Sequence, residues 1–172
     1  MNSRAVLIVL LLATHGVPSC APRREAPPTV RLIEYGIIRP VGPFVRHPDP
    51  NSAAGFTSSG PGNSIFEQRT TEVPATLGSA FGIRYRIENI PPGQEITVEE
   101  IIRHPPITKP TGEIVSEERT RDKVASQSGY IDQKFFYRLG LPYEVVPGDW
   151  SLTVAVNGST AINQHFTVRP PK

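Results

Sequence analysis

Two short segments carry the side chains best suited to chemistry. Arg46-His47-Pro48-Asp49 and Arg103-His104-Pro105-Pro106 each set an imidazole beside a guanidinium and ahead of a proline. Proline holds the residue before it in an extended conformation, which would present His47 and His104 at strand ends. If the two segments converge, they form an anion site. With His165 in reach, His47, Asp49 and His104 would also offer nitrogen and oxygen ligands to a metal. The spacing matches no recognised metal motif. The plainer reading is that the prolines end strands and the histidines pack locally.

Signatures of catalysis are scarce. The sequence has no Gly-x-Ser-x-Gly elbow and no glycine loop leading into Lys-Ser or Lys-Thr. Glu99 and Glu100 are neighbours, but adjacent strand residues point to opposite faces and would not share a substrate. The chain therefore reads as noncatalytic and free of cofactors. An exported hydrolase is the lesser alternative, which would need a cleft lined by convergent carboxylates or a Ser–His pair. Lys and Arg total 18 against 16 Asp and Glu, and they are scattered. That balance lacks the concentrated basic face of a nucleic-acid binder.

The elements that must position these residues read as strands. Proline accounts for 19 of 172 residues, about 11% against a usual 5% or so, and it disfavours helix interiors and central ladders. The clearest strand is Ala80–Glu88, where Phe81, Ile83, Tyr85 and Ile87 alternate with Gly82, Arg84, Arg86 and Glu88. Another covers Val30–Ile38, ended by Pro40. A further strand runs from Ile96 to Ile102, with Pro105 and Pro106 stopping it. Residues 113–124 are charged and predict an edge strand guarded against pairing with other molecules. Residues 129–139 predict a buried strand. Trp150 to Val156 and Ile162 to Val168 flank Asn157-Gly158, a pair suited to a type I′ hairpin turn. Seven or eight such strands predict an all-β, immunoglobulin-like antiparallel β-sandwich over residues 29–170. Trp150, Phe81, Tyr85, Phe135 and Phe166 belong to its core by their alternation with polar residues.

Residues 39–63 form a long loop rich in proline and glycine. Phe44 and Phe56 within it, together with Arg103 and His104, are the candidate partner-binding residues, because loops on a rigid sandwich commonly carry recognition. Residues 1–21 have the form of a signal peptide: Arg4, an apolar run from Ala5 to Ala13 too short to span a bilayer, then small residues. No second apolar run follows that could make a transmembrane helix. Cys20 is the lone cysteine, and Val17-Pro18-Ser19 before it resembles a bacterial lipobox. Cys20 would then be the lipid-attachment site, and residues 22–28 a proline-rich tether. The alternative is cleavage after Ala21, which discards Cys20. The expected location is the periplasm, on a membrane if lipidated, otherwise soluble or secreted.

The segments GIRYRIENIPPG, IIRHPPIT, VPGDWSLTVAVNG and QHFTV resemble a bacterial domain family of unknown function whose members are small and often exported. The resemblance spans roughly residues 30–170 and implies the sandwich plan, with no activity or catalytic residues attached. The functional expectation is an envelope module that binds a protein or polymer through loops or a sheet edge, with metal or anion binding as the alternative.

Overall fold

The computed structural model describes residues 26–59 and 64–171. The leader at 1–21, Cys20 and most of the 22–28 tether lie outside the described residues.

The strands are β1 (Thr29–Arg39), β2 (Val45–Pro48), β3 (Phe56–Ser59), β4 (Ile65–Gln68), β5 (Glu72–Pro74), β6 (Ala80–Glu88), β7 (Glu95–Thr108), β8 (Ile114–Ala125), β9 (Tyr130–Arg138), β10 (Gly148–Val156) and β11 (Ser159–Arg169). One sheet has the order β4-β1-β6-β9 and the other β5-β11-β10-β7-β8, while β2 and β3 pair as a separate hairpin. All pairs are antiparallel except β5 with β11. The immunoglobulin-like sandwich stands, with more strands than the seven or eight expected: nine in the two sheets and two in the hairpin, among the described residues. The additional strands are three or four residues long, too short to leave a period-two pattern.

The inward faces build the core by strict alternation. Phe81, Ile83, Tyr85 and Ile87 of β6 meet Trp150, Leu152, Val154 and Val156 of β10 across the layer, and all eight are buried. Phe81 lies 5.0 Å from Phe166 and 5.6 Å from Trp150, ring to ring. The Trp150 indole N–H donates to the Val146 carbonyl at 3.2 Å, which satisfies the one polar atom of that ring. At the β10–β11 turn, Asn157 and Gly158 have φ of 50° and 82°, the positive values the turn demands.

Pro105 and Pro106 do not end β7, as the sequence suggested. The strand continues to Thr108, and the prolines fall where its ladders lapse: pairing with β10 stops at Arg103, and pairing with β8 skips from Arg103 to Ile107. A proline without a ladder partner forfeits no hydrogen bond.

Gly82 sets the opposite sheet. A Cβ there would stand 2.4 Å from both the Phe135 carbonyl oxygen and the Phe136 Cβ. The glycine thus lets β9 run close, with Phe136 laid beside it on the outer face. Gly82→Ala is expected to lower stability by roughly 1–3 kcal/mol, the usual range for overpacking. The urea midpoint reads this, and an unchanged midpoint would contradict the close approach.

Candidate functional site

β8 and β9 are edge strands of different sheets, joined by the short turn at 126–129. Between them the sandwich has an open long side. The inward face of β8 is polar: Glu118 stands opposite Ile102, Thr120 opposite Glu100, and Asp122 opposite Val98. A cavity of about 810 Å³ occupies this side, with the β2–β3 hairpin as its roof. Consecutive residues of both edges line it: Glu118, Arg119 and Thr120 on β8, then Lys134 to Arg138 on β9. Successive strand side chains alternate between faces, so a cavity touching all of them lies along the strand edges themselves.

The roof is held from several directions. The Glu118 carboxylate accepts the Ala53 N–H at 2.9 Å. Lys109 donates to the Pro50 carbonyl at 2.6 Å. Phe44 meets Phe136 edge-on at 6.2 Å. The turn is internally tied as well, because the Ser52 hydroxyl bonds the carbonyls of Asp49 and Phe56. Ser52 and Ala53 are buried at the tip.

Behind the cavity lies a buried acid cluster. The Tyr137 hydroxyl donates to Glu144 at 2.7 Å, and the other Glu144 oxygen accepts the Leu141 N–H at 2.6 Å. Burial pushes the Glu144 and Glu118 carboxyls up from their ordinary values. Glu100 accepts the Tyr85 hydroxyl at 2.8 Å. Burial, with help from Asp122, pushes Glu100 up to about 7, although the Tyr85 bond opposes the shift.

The residues singled out in the sequence fare differently. Phe44 and Phe56 are half-buried in the cavity wall, and the Arg46 guanidinium sits 4.4 Å over the Phe56 ring. His47 and Asp49 line the cavity too. Arg103 and His104 take opposite faces. Arg103 pairs with Glu117 at 2.8 Å on the outer face. His104 is buried against Trp150, ring to ring at 4.9 Å, so it presents no imidazole at a sheet end. Its Nδ1 is engaged with the Pro105 carbonyl at 2.8 Å. Among the described residues no three His, Cys, Asp or Glu side chains are grouped to hold a metal ion. His165 is exposed and bonded to Asn163. Glu99 faces outward to Arg119 and Glu100 inward, as adjacent strand residues must.

Glu100, Glu118, Asp122, Tyr137 and Glu144 went unrecognised as a group because they come from separate segments. One signal was present: residues 114–125 keep charge on both faces of a strand set among apolar ones.

The Glu100 shift fixes a pH dependence. The folded domain holds a proton that the unfolded chain releases near 4.5. The resulting stability is present below that value and is lost as pH rises towards about 7. Glu100→Gln, which keeps an acceptor for Tyr85, should leave stability near wild type at about pH 5 and raise it by about 2 kcal/mol at about pH 8. Equal differences in urea denaturation at the two pH values would refute this.

No curated protein matches the chain. Among solved structures, an immunoglobulin-like protein from Pseudomonas aeruginosa superposes with a TM-score of 0.61 at 23% identity, covering 86% of this chain and all of the other. The alkylpurine DNA glycosylase AlkC of Pseudomonas fluorescens, bound to DNA containing an abasic site analog, superposes with a TM-score of 0.40 at 17% identity. That match covers 58% of this chain and 28% of the glycosylase. Residues 27–168 match the family described as a domain of unknown function (DUF3859), and the chain belongs to that family.

Proposed function

We propose that this chain is an exported, noncatalytic envelope module that binds a protein partner as an extended segment along the open side of the sandwich. The observation that carries the reading is the cavity running along two unpartnered strand edges beneath the hairpin. An extended peptide added to such an edge gains backbone hydrogen bonds from the ladder, while neighbouring pockets read its side chains. Phe44, Phe56 and Arg46 supply apolar and cationic contact at the rim, and arginine and aromatic residues commonly anchor interfaces. On the outward face of β8, Glu117 is committed within the sheet, bonded to Arg103 and Arg119.

The leader supports the exported half of the reading. The signal peptide would be removed before Cys20, leaving Cys20 as the lipidated first residue and residues 22–28 spacing the domain from a membrane. The described residues contain no helix long and apolar enough to cross one.

A variant carrying Arg46→Ala and Phe56→Ala tests the site. Its melting temperature should match wild type, while crosslinked capture of a partner from envelope extracts falls about tenfold or more, as loss of a contact worth about 1.4 kcal/mol or more requires. Undiminished capture would remove the hairpin from the interface. Pelleting with an envelope polymer instead of a protein would move the partner to that class. Degradation of the polymer that stops in Glu100→Gln would establish the hydrolase reading, which the carboxylates of Glu100 and Asp122 in one cavity favour.

Intact mass of the mature protein tests the anchor. Acylated chains starting at Cys20 are expected, and an unmodified species starting at Pro22 would rule the anchor out.

A further inference from the structure

His104 presents an unusual buried atom. Its side chain is fully excluded from solvent. Its Nδ1 lies 2.8 Å from the Pro105 carbonyl oxygen, and a carbonyl can only accept. Nδ1 therefore carries the hydrogen, and in the neutral ring Nε2 presents a lone pair. That Nε2 has no hydrogen-bond partner. It faces Glu118 Oε1 at 3.8 Å, and the same oxygen accepts the Ala53 N–H from the hairpin tip.

Two acceptors facing each other away from water are unfavourable, because they repel and the His104 Nε2 keeps its desolvation cost without a compensating bond. A proton resolves the conflict, whether it sits on the carboxyl or on the imidazole. The other groups bearing on Glu118 sharpen the need. Glu144, the last residue of the 3-10 turn Pro142–Glu144, and Asp49 from the roof both disfavour a negative charge there, while Tyr137 of β9 and the Ala53 amide favour it. Glu100 of β7 and the Arg46 guanidinium and His47 imidazole of β2 face the same cavity. Trp150 of β10 closes the other side of the imidazole.

We propose that His104 and Glu118 hold one proton between them, and that this proton keeps the hairpin tip seated over the cavity. Seating the tip removes Glu118 from water, so the seated state binds the proton more tightly than the open one. By linkage, loss of the proton as pH rises favours opening. Desolvation is the largest cause raising the Glu118 carboxyl and lowering the His104 imidazole. The consequence for partner access rests on the cavity reading above; the proton site itself does not.

The test uses the full mature chain. Hydrogen exchange at the Ala53 amide is followed from about pH 6 to about pH 9 and corrected for the intrinsic rate. In wild type, protection should fall about tenfold for each pH unit beyond the point where the pair loses its proton, until opening is complete. Glu118→Gln should abolish the trend. Its amide N–H₂ can donate to His104 Nε2 while its carbonyl accepts from Ala53, so the tip stays seated at every pH. Nitrogen-15 spectra of the wild-type His104 ring provide a reading that needs no variant. Near neutral pH they should show hydrogen on Nδ1, with Nε2 either hydrogen-bonded to an acid proton or protonated. Flat protection in wild type, an equal trend in Glu118→Gln, or a neutral ring with hydrogen on Nε2 alone would each overturn the proposal. Partner capture separates the two ideas. A pH-linked tip in a protein whose capture ignores Arg46 and Phe56 leaves the proton site standing and removes the cavity as the binding site.

Discussion

The hydrogen bond from the Ala53 amide to the Glu118 carboxylate joins the hairpin to the sandwich. The shape of the open side depends on it. The edges of β8 and β9 face the same space without pairing, and something must cover the inner polar wall they leave. The 49–55 turn does so as a pre-tied unit, its amides and the Ser52 hydroxyl bonded internally before it meets the sheets. A hydrogen bond contributes about 0.5–1.5 kcal/mol, and Lys109 reaching the Pro50 carbonyl adds a second tie from the end of β7.

Burying carboxyls beside a hydrophobic core is costly unless their oxygens are satisfied. Two of the three inner ones are held by phenols from the facing sheet, Tyr85 for Glu100 and Tyr137 for Glu144. A phenol donates a hydrogen bond without adding charge, so burial still dominates and these acids are pushed up. Asp132, on the outer face of β9, shows the opposite outcome. Arg84 bonds it through two nitrogens and Arg86 grips it from beside, and it is driven down to about 2. The sandwich thus keeps ionised carboxylates in arginine clasps outside and proton-rich ones within.

Much of this fold was legible from the sequence. The alternation in Ala80–Glu88 matches β6 residue for residue, and Asn157-Gly158 marks the turn between β10 and β11, because both signals depend on local geometry. The paired strands at Val45–Pro48 and Phe56–Ser59 were hidden inside a segment whose proline and glycine read as loop, since a two-stranded ribbon can form without a buried period-two face. Pro105-Pro106 misled for a related reason. Proline stops a strand where its missing N–H is needed, and here the neighbouring ladders had already lapsed. The site was less legible than the fold. Phe44 and Phe56, singled out as loop aromatics, lie in the cavity wall, but His104 pointed to a surface it does not reach. The acids that define the cavity came into view only once β7, β8 and β9 were set side by side.

That dispersal bears on how such a domain can carry function. A compact motif concentrates chemistry in one turn of chain, whereas this wall is assembled from an edge of each sheet, the hairpin and the 3-10 turn. The likeness to the Pseudomonas aeruginosa protein extends to the fold alone, and a fold shared at 23% identity leaves the chemistry of its sites open. The backbone edges of β8 and β9 depend on topology more than on side-chain identity. Open strand edges therefore follow from the architecture, and under the proposed reading the residues lining them set which segment is accepted. In this chain those residues are a cation over an aromatic ring at the rim and acids at the floor. Under the proposed reading, selectivity rests on the inserted hairpin, because the hairpin brings the rim and its buried tip meets the floor.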